Sequence, residues 1–344
     1  MRCEFMQLNV LYGCDDNYAP YTGVSLLSLF ENNKDIEEIT IYLAAMNFSE
    51  VNLSKFRRLA EQYGRKLVVL DTERAQEYMK TYQCKGWNGS LATWLRFFVL
   101  EQIPEDVNRL LWIDSDTIVN GSLRDLIEIP LEGYPVAAVC DSVCYWERFR
   151  LGIAKSEPYF NAGVILFNLP VWQGNDVLGK MMEHLEKYVQ YYKANDQDLL
   201  NDFFKGQILK LPMRYNLQGF QLGYPIRTYF SVYHWDESAY YTQDEAQSAV
   251  AQPCIIHFFR FLGDYPWQQG KNYHPVRERY LRWQARSPWK EHPGAPKRTD
   301  AVFKVEKFLY RLLPKKCFLH LFAWFTNRKV PKVSVDIRAR ENIK

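Results

Sequence analysis

The first seventy residues alternate between short apolar runs and longer stretches with helical periodicity. The runs at residues 8–12, 39–43 and 66–70 have the length and composition of buried strands. Between them, residues 21–31 and 49–63 carry apolar side chains at helical spacing. Because strands joined through helices pair in parallel, this alternation predicts an α/β fold with a mostly parallel sheet and helices on both faces.

The rest of the chain also contains both predicted strands and predicted helices. Further strands are predicted at residues 110–113, 136–140, 163–167 and 254–259, and helices at 94–102, 176–192 and from 197 to 204. Residues 267–298 are rich in aromatic and basic residues and contain proline, so we expect a connecting segment made mostly of loops there.

Length and composition favour one large domain with an appendage. The 344 residues are 47% hydrophobic and 24% charged, enough to bury a core. None of the seven cysteines forms a CxxC pair, which argues against a zinc framework or a disulfide scaffold. The N-terminus lacks the long apolar run of a secretory signal, and no uncharged apolar run approaches the roughly 20 residues of a membrane span. We therefore expect a cytoplasmic protein.

The basic character of the chain is concentrated in its C-terminal tail. Residues 302–344 hold eleven Lys or Arg and three Asp or Glu, a net charge of +8 in a chain of net charge +3. Residues 302–332 also carry Phe, Leu and Trp, and Pro314 divides them into two short helical pieces.

Two interpretations of the tail remain open. A basic helix with exposed apolar residues suits the headgroup region of an anionic membrane surface, which we favour. The alternative is a helix that packs its apolar stripe on the main domain and leaves its basic face in solvent. The patch is local and aromatic–aliphatic, so we expect no nucleic-acid partner.

Two carboxylates stand one residue apart after the apolar run 110–113. In extended backbone Asp114 and Asp116 point the same way. Converging carboxylates repel each other unless a proton or a cation lies between them. A hard cation, Mg²⁺ or Mn²⁺, would satisfy both and leave sites for phosphate oxygens. An ordinary turn with two solvated carboxylates is the alternative.

Six stretches, in order, resemble glycosyltransferase family 8, and within it the bacterial lipopolysaccharide galactosyl- and glucosyltransferases. They are VLYGCDDNYA (10–19), TWLRF (93–97), LLWIDSDTIV (110–119), YFNAGVILFNL (159–169), NDQDLLN (195–201) and IIHF (255–258). The resemblance implies a GT-A type, Rossmann-like mixed sheet flanked by helices, followed by a small helical basic tail. It also implies a divalent metal and a UDP-sugar donor.

The resemblance assigns a role to each matching residue. Asp114, Asp116 and His257 would bind the metal, and this ligand set suits Mn²⁺ somewhat better than Mg²⁺ because imidazole is a softer ligand. The nucleotide-sugar would contact Gly13, Asp15, Asn17, Arg96, Ser115, Asp141 and Asn161.

Gln197 and Asp196 are the implied catalytic residues. Gln197 matches the family residue below the anomeric carbon, and the implied reaction retains the configuration at that carbon. An amide is a poor nucleophile, which favours a front-face route in which the acceptor enters on the side that UDP leaves. Asp196 or Asp198 as a nucleophile remains an alternative.

The chain departs from the family pattern after His257. Tyr265 stands where the family has a lysine that grips the diphosphate, and the segment is two residues longer. We expect phosphate contact to pass to Arg260 or Lys271.

The sequence thus predicts a GT-A catalytic domain over residues 1–275 and a membrane-surface region over 276–344. The predicted activity moves galactose or glucose from UDP-galactose or UDP-glucose to a glycan or glycolipid acceptor at the inner face of the membrane. Two alternatives stay open: a self-glycosylating glucan primer on the same fold, and a non-catalytic module that binds nucleotide-sugar or glycan.

Overall fold

A computed structural model describes residues 6–87, 89–142, 145–233, 237–296 and 300–327. The strands are β1 Gln7–Asp15, β2 Glu38–Met46, β3 Lys66–Leu70, β4 Arg109–Ile113, β5 Thr117–Val119, β6 Val136–Cys140, β7 Phe160–Asn168, β8 Ile208–Lys210, β9 Leu217–Gln218 and β10 Ile255–His257. The helices are α1 Ala19–Asn32, α2 Glu50–Gln62, α3 Glu73–Thr81, α4 Leu95–Phe98, α5 Arg124–Ile127, α6 Leu169–Gly174, α7 Val177–Tyr188, α8 Asp196–Phe203, α9 Ile226–Tyr233, α10 Gln243–Ala251, α11 Arg277–Arg286, α12 Ala301–Leu312 and α13 Lys315–Asn327.

The main sheet has seven strands in the order β3-β2-β1-β4-β7-β6-β8. Strands β1 to β4 are parallel to one another, and β6 is parallel to β8. Strand β7 is antiparallel to both of its neighbours, β4 and β6. The sheet is therefore mixed and flanked by helices, as the resemblance implied.

A second, three-stranded sheet brings a late segment of the chain to the centre of the fold. Its order is β5-β10-β9, and β10 runs antiparallel to β5, with His257 opposite Thr117. The backbone N–H of Phe258 then donates to the carbonyl of Asp116 at 2.8 Å. This pairing places His257 beside the turn that follows β4.

Two predictions about helices need correction. Residues 94–102 do not form one helix: α4 is a four-residue piece between two short 3₁₀ turns. Residues 267–298 are not only a loop, because α11 lies within them and buries Tyr280. That helix shares a small core with Tyr21 of α1 and with Trp267, so aromatic side chains there serve packing.

The tail forms two helices separated at Pro314, as the sequence predicted. Helix α13 packs on α9 and buries Phe318 and Leu319. Helix α12 leaves apolar side chains exposed, among them Val302 and Phe308. The part of the predicted tail beyond residue 327 lies outside the described residues. Of the helices that the structure describes, none has both the length and the apolar content needed to cross a bilayer.

Candidate active site

One cavity of about 510 Å³ opens at the carboxyl ends of β1 and β4. It is the position at which ligands bind in open α/β sheets. Ten of the predicted site residues line it: Gly13, Arg96, Asp114, Ser115, Asp116, Asp141, Asn161, Asp196, Gln197 and His257.

The three predicted metal ligands converge within this cavity. One donor atom each from Asp114, Asp116 and His257 lies within 4.8 Å of the others. His257 Nε2 is 3.2 Å from Asp116 Oδ1 and 3.8 Å from Asp114 Oδ2. Burial by itself would lower the pKa of His257, but the carboxylates of Asp116 and Asp114 outweigh burial and raise it. Two carboxylates and one imidazole are a ligand set that fits Mn²⁺ or Mg²⁺.

The imidazole of His257 is oriented by a hydrogen bond on its other nitrogen. Its Nδ1 lies 3.0 Å from Asn216 Oδ1, and Asn216 Nδ2 donates to Asn161 Oδ1 at 2.7 Å. The amide therefore turns its oxygen towards the ring and selects the tautomer that carries the proton on Nδ1. Nε2, the nitrogen that faces the two carboxylates, is then the one whose lone pair a bound metal would take in place of a proton.

Gly163 leaves the space that the His257 ring occupies. A Cβ at Gly163 would lie 2.2 Å from His257 Cε1 and 2.4 Å from Nδ1. Both atoms belong to a buried ring with little room to move. A side chain at this position of β7 would therefore displace the third ligand.

Asp114 uses its two carboxylate oxygens differently. Oδ1 accepts hydrogen bonds from Trp112 Nε1 at 2.7 Å and from Arg96 Nη2 at 3.0 Å. Oδ2 is the oxygen that faces His257. One oxygen is thus held by the protein while the other is directed at the metal position.

The polar residues Arg96, Asp114, Asp141, Asn161, Asp196 and Gln197 line one part of the cavity, here called the polar floor. Arg96 is a buried cation among them. Its guanidinium pairs with Asp114 and, through Nε at 3.1 Å, with Asp196 Oδ2. It also donates to the backbone carbonyl of Ala162 and lies 4.7 Å from the Trp112 ring. A planar guanidinium with five donors can hold several acceptors at once, which suits this position.

Asp196 has an unusual environment for a carboxylate. Burial and the nearby charge of Asp114 together raise its pKa to about 6, against the opposing effect of Arg96. The guanidinium of Arg96 pairs with this carboxylate and with that of Asp114 at the same time.

Gln197, Asn161 and Asp141 form a closed hydrogen-bond network. Gln197 Oε1 accepts from Asn161 Nδ2 at 2.8 Å and from the Ala162 backbone N–H at 3.1 Å. Asp141 Oδ2 accepts from Asn161 Nδ2 at 2.9 Å and from Gln197 Nε2 at 3.2 Å. The side chain of Gln197 is therefore held at both ends.

The turn after β1 reaches the cavity in part only. Gly13 lines it and lies so close to Trp112 that a Cβ would be 2.8 Å from Cη2 of that ring. Asp15 is half-buried and accepts a hydrogen bond from the Tyr18 N–H. Asn17 is exposed and borders a second cavity beside Trp289. Neither Asp15 nor Asn17 lines the main cavity.

Of the two cations expected to replace the missing lysine, one borders the cavity. Arg260 lines it and stacks over the Tyr265 ring at 5.2 Å. Lys271 lies over the ring of Tyr273 and does not line it.

Another part of the cavity lining, which begins next to His257, is mostly apolar. The apolar wall is the name used here for Phe220, Tyr229, Phe259, Phe318, Leu319 and Phe322; Tyr224, Tyr233 and the cation Arg260 also line the cavity. Phe259 lies next to His257, with 4.7 Å between ring centres, and stacks on Phe220 at 6.1 Å. Three members of the wall belong to α13, which sequence reasoning did not connect with the site.

Sequence reasoning also missed Asn216, Trp112 and the role of Gly163. Gly163 and Trp112 stand inside stretches that carry the family resemblance, so they could have been found there. Asn216 stands in no such stretch, and only its contact with His257 identifies it.

The sequence profile of glycosyl transferase family 8 matches residues 9–269, more than half of the chain. The chain belongs to this family and is a glycosyltransferase by family. The fold agrees: the galactosyltransferase LgtC, solved in complex with donor and acceptor sugar analogs, matches with a TM-score of 0.66. The two are 24% identical, and the match covers 82% of this chain and 96% of that one.

Two similar proteins are named as lipopolysaccharide glycosyltransferases. The lipopolysaccharide 1,3-galactosyltransferase of Salmonella typhimurium is 27% identical over 293 residues, 82% of this chain and 79% of the relative. The lipopolysaccharide 1,2-glucosyltransferase of Escherichia coli K12 is 31% identical over 214 residues, 61% of this chain and 62% of the relative.

Proposed function

We propose that the chain transfers a hexose, galactose or glucose, from a UDP-sugar to a glycan or glycolipid acceptor, with retention of configuration and dependence on a divalent metal. The proposal rests on one observation: two groups of side chains line the same cavity. Three metal-ligating side chains, Asp114, Asp116 and His257, share it with a buried hydrogen-bonding network around Gln197. The names of the relatives support galactose or glucose as the sugar.

The ligand set favours Mn²⁺, with Mg²⁺ as the alternative. Mn²⁺ accepts imidazole beside carboxylates more readily than Mg²⁺ does. When bound, the ion would neutralise charge on the departing UDP and act as a Lewis acid. Asp114 and Asp116 would hold it at the diphosphate, next to Arg96 on the same floor.

The residues on the floor would hold the donor sugar. Asp196, Asp141 and Asn161 offer carboxylate and amide groups to sugar hydroxyls at the bottom of the cavity. Arg96 keeps Asp196 in place and offsets its charge. Arg260 is the cation suited to contact the diphosphate, because it borders the cavity. We propose that the turn after β1 and Ser115 hold the nucleoside end of the donor, with Gly13 and Ser115 at the cavity itself. Asp15 and Asn17 do not line this cavity, so their contact with the nucleoside rests on the family resemblance alone.

A front-face route suits the geometry of Gln197. Its Oε1 already accepts two hydrogen bonds, which leaves it a positioning and charge-stabilising group rather than a nucleophile. In this route the bond between the anomeric carbon and the phosphate oxygen breaks as the acceptor oxygen bonds to the same face. The hydroxyl proton passes to a phosphate oxygen.

Asp198 does not suit the role of nucleophile. It is fully buried, and its carboxylate accepts from Tyr159 at 2.7 Å and pairs with Arg150 at 3.0 Å. Further hydrogen bonds come from the backbone of Lys193 and Ala194. It anchors the turn before α8 instead.

We place the enzyme at the cytoplasmic face of an anionic membrane through α12. Val302, Val305, Phe308 and Leu312 of this helix are each between 57% and 66% exposed. Lys304 and Arg311 are exposed beside them. Apolar side chains flanked by cations are suited to the headgroup region of such a membrane.

Donor turnover tests the proposed function. With MnCl₂ present, the full chain is expected to release UDP from UDP-galactose or UDP-glucose, and a chelator should stop the release. Asp116→Asn should lower the rate roughly a hundredfold, because it removes an anionic metal ligand. Asp106→Asn, an exposed carboxylate elsewhere, is the matched control.

Two results would contradict the proposal. Binding of UDP-sugar and Mn²⁺ without any UDP release, with or without acceptor, would favour a non-catalytic module. Addition of hexose to the mass of the protein itself would favour a self-glycosylating primer.

A further inference from the structure

The C-terminal helix pair is attached to the loop that follows the metal ligand His257. Lys307 of α12 pairs with Asp264 at 2.7 Å, and the Asp264 side chain is 1% exposed. Phe303 packs on Gly263, whose φ of +77° and missing side chain allow that contact. Tyr310 of α12 packs edge-on against Phe318 of α13 at 5.3 Å. These contacts hold α13 in a defined position at the cavity.

One face of α13 borders the cavity that holds the catalytic residues. Phe318, Leu319 and Phe322 share that face, because their spacing corresponds to one side of a helix. None of the six residues of the apolar wall carries a formal charge. The apolar wall begins at Phe259, whose ring lies directly beside the ring of His257.

The cavity therefore has a polar floor and an apolar wall within the same space. A ligand with hydroxyl groups at one end and hydrocarbon at the other fits both parts. A free oligosaccharide can stack its C–H faces on the phenyl rings, but hydroxyls that face Leu319 would lose hydrogen bonds, a cost that hydrocarbon does not have. The exposed apolar side chains of α12 continue the apolar character to the outer surface of the same helix pair.

We propose that the apolar wall is an acceptor subsite, and that α13 binds the hydrocarbon part of an amphiphilic acceptor. The acceptor is a glycoside whose sugar reaches Gln197 and whose apolar aglycone lies against Phe322. This inference rests on the proposed function for the identity of the reacting end. The C-terminal helix is then a part of the substrate site and sets acceptor specificity.

Binding of two simple galactosides to the full chain tests the subsite. Octyl β-galactopyranoside, kept below its micellar concentration, is compared by calorimetry with methyl β-galactopyranoside. The octyl glycoside should bind at least roughly tenfold more tightly, since burial of only two methylene groups accounts for that factor. Equal affinity of the two glycosides would overturn the proposal.

Substitutions in α13 localise the effect. Phe322→Ala should remove most of the preference for the octyl chain, and Phe322→Leu should retain a large part of it. Trp324→Ala is the matched control: Trp324 is 50% exposed and lies on roughly the opposite side of the helix. Thermal unfolding of each variant shows whether it is folded.

The outcomes separate this inference from the proposed function. If Phe322→Ala and Trp324→Ala change the octyl preference equally, or neither changes it, the subsite is not at α13 and the inference fails. Binding needs no turnover, so absence of UDP release with an intact octyl preference would contradict the proposed transfer and leave the subsite standing.

Discussion

At the scale of single residues, the candidate metal site depends on side chains other than its three candidate ligands. Asn216 sets the proton of the His257 ring, and Arg96 with Trp112 holds one oxygen of Asp114. Such supporting residues affect metal affinity because they orient the ligands. Gly163 supports the site in another way: because it has no side chain, the ring of His257 can lie against it.

We expect Gly163→Ala to weaken Mn²⁺ binding roughly tenfold or more, because the new methyl group would displace the His257 ring. Titration of the full chain with Mn²⁺, followed by electron paramagnetic resonance of the free ion, measures the effect. Gly174→Ala is the control, since a Cβ there meets no atom within 4 Å. Unchanged Mn²⁺ affinity in Gly163→Ala would show that His257 is not a ligand.

At the scale of elements, short strands and helices bring distant segments to one place. Strand β10 carries His257 to the turn after β4, and α8 carries Asp196 and Gln197 to the amino end of β7, which lies beside that turn because β7 is antiparallel to β4. Helix α12 contributes differently, through a buried ion pair with Asp264 that fixes the loop behind the metal site.

We expect Lys307→Met to loosen the C-terminal helix pair. The substitution removes the ammonium that faces a carboxylate with 1% exposure, and breaking a buried pair in this way costs about 3–5 kcal/mol. Limited proteolysis should cut the variant near α12 faster than the parent. Lys304→Met, an exposed lysine of the same helix, should be cut at the parent rate. Equal cleavage of all three proteins would mean that the pair does not hold the helices.

At the scale of the whole molecule, positive charge and exposed apolar side chains are concentrated in the C-terminal region. The tail carries the positive charge, while residues 1–301 are net negative. The exposed apolar side chains of α12 lie at the end of the molecule that also forms the apolar wall of the cavity. Membrane contact and acceptor entry would then occur on neighbouring surfaces.

We expect the double variant Val305→Asp and Phe308→Asp to bind vesicles of phosphatidylglycerol and phosphatidylethanolamine at least roughly tenfold more weakly. It loses apolar area and adds negative charge facing an anionic surface. Co-sedimentation measures the bound fraction. Val51→Asp, an equally exposed valine of α2, is the control. If the control and the double variant bind alike, α12 is not the membrane-contact face.

The class of the fold and most of the residues that line the candidate site could be predicted from the amino-acid sequence alone. Strands at 66–70 and 136–140 were predicted with their observed bounds, because continuous apolar runs between turn residues are a local property. The pair Asp114 and Asp116 follows from the two-residue period of extended backbone. The family resemblance supplied His257 and Gln197, which no local pattern indicates.

Which residues from distant segments become neighbours is visible in the folded structure and not in the sequence. The contacts of Asn216 and Gly163 with His257 join three separate segments, and they exist because β10 pairs with β5 while β7 pairs with β4. The same holds for α13: its composition suited a membrane or a packed helix, and its packing on α9 placed Phe318 and Phe322 at the cavity. Local sequence patterns indicate burial and periodicity. Contacts between distant segments depend instead on how the strands and helices are arranged in space.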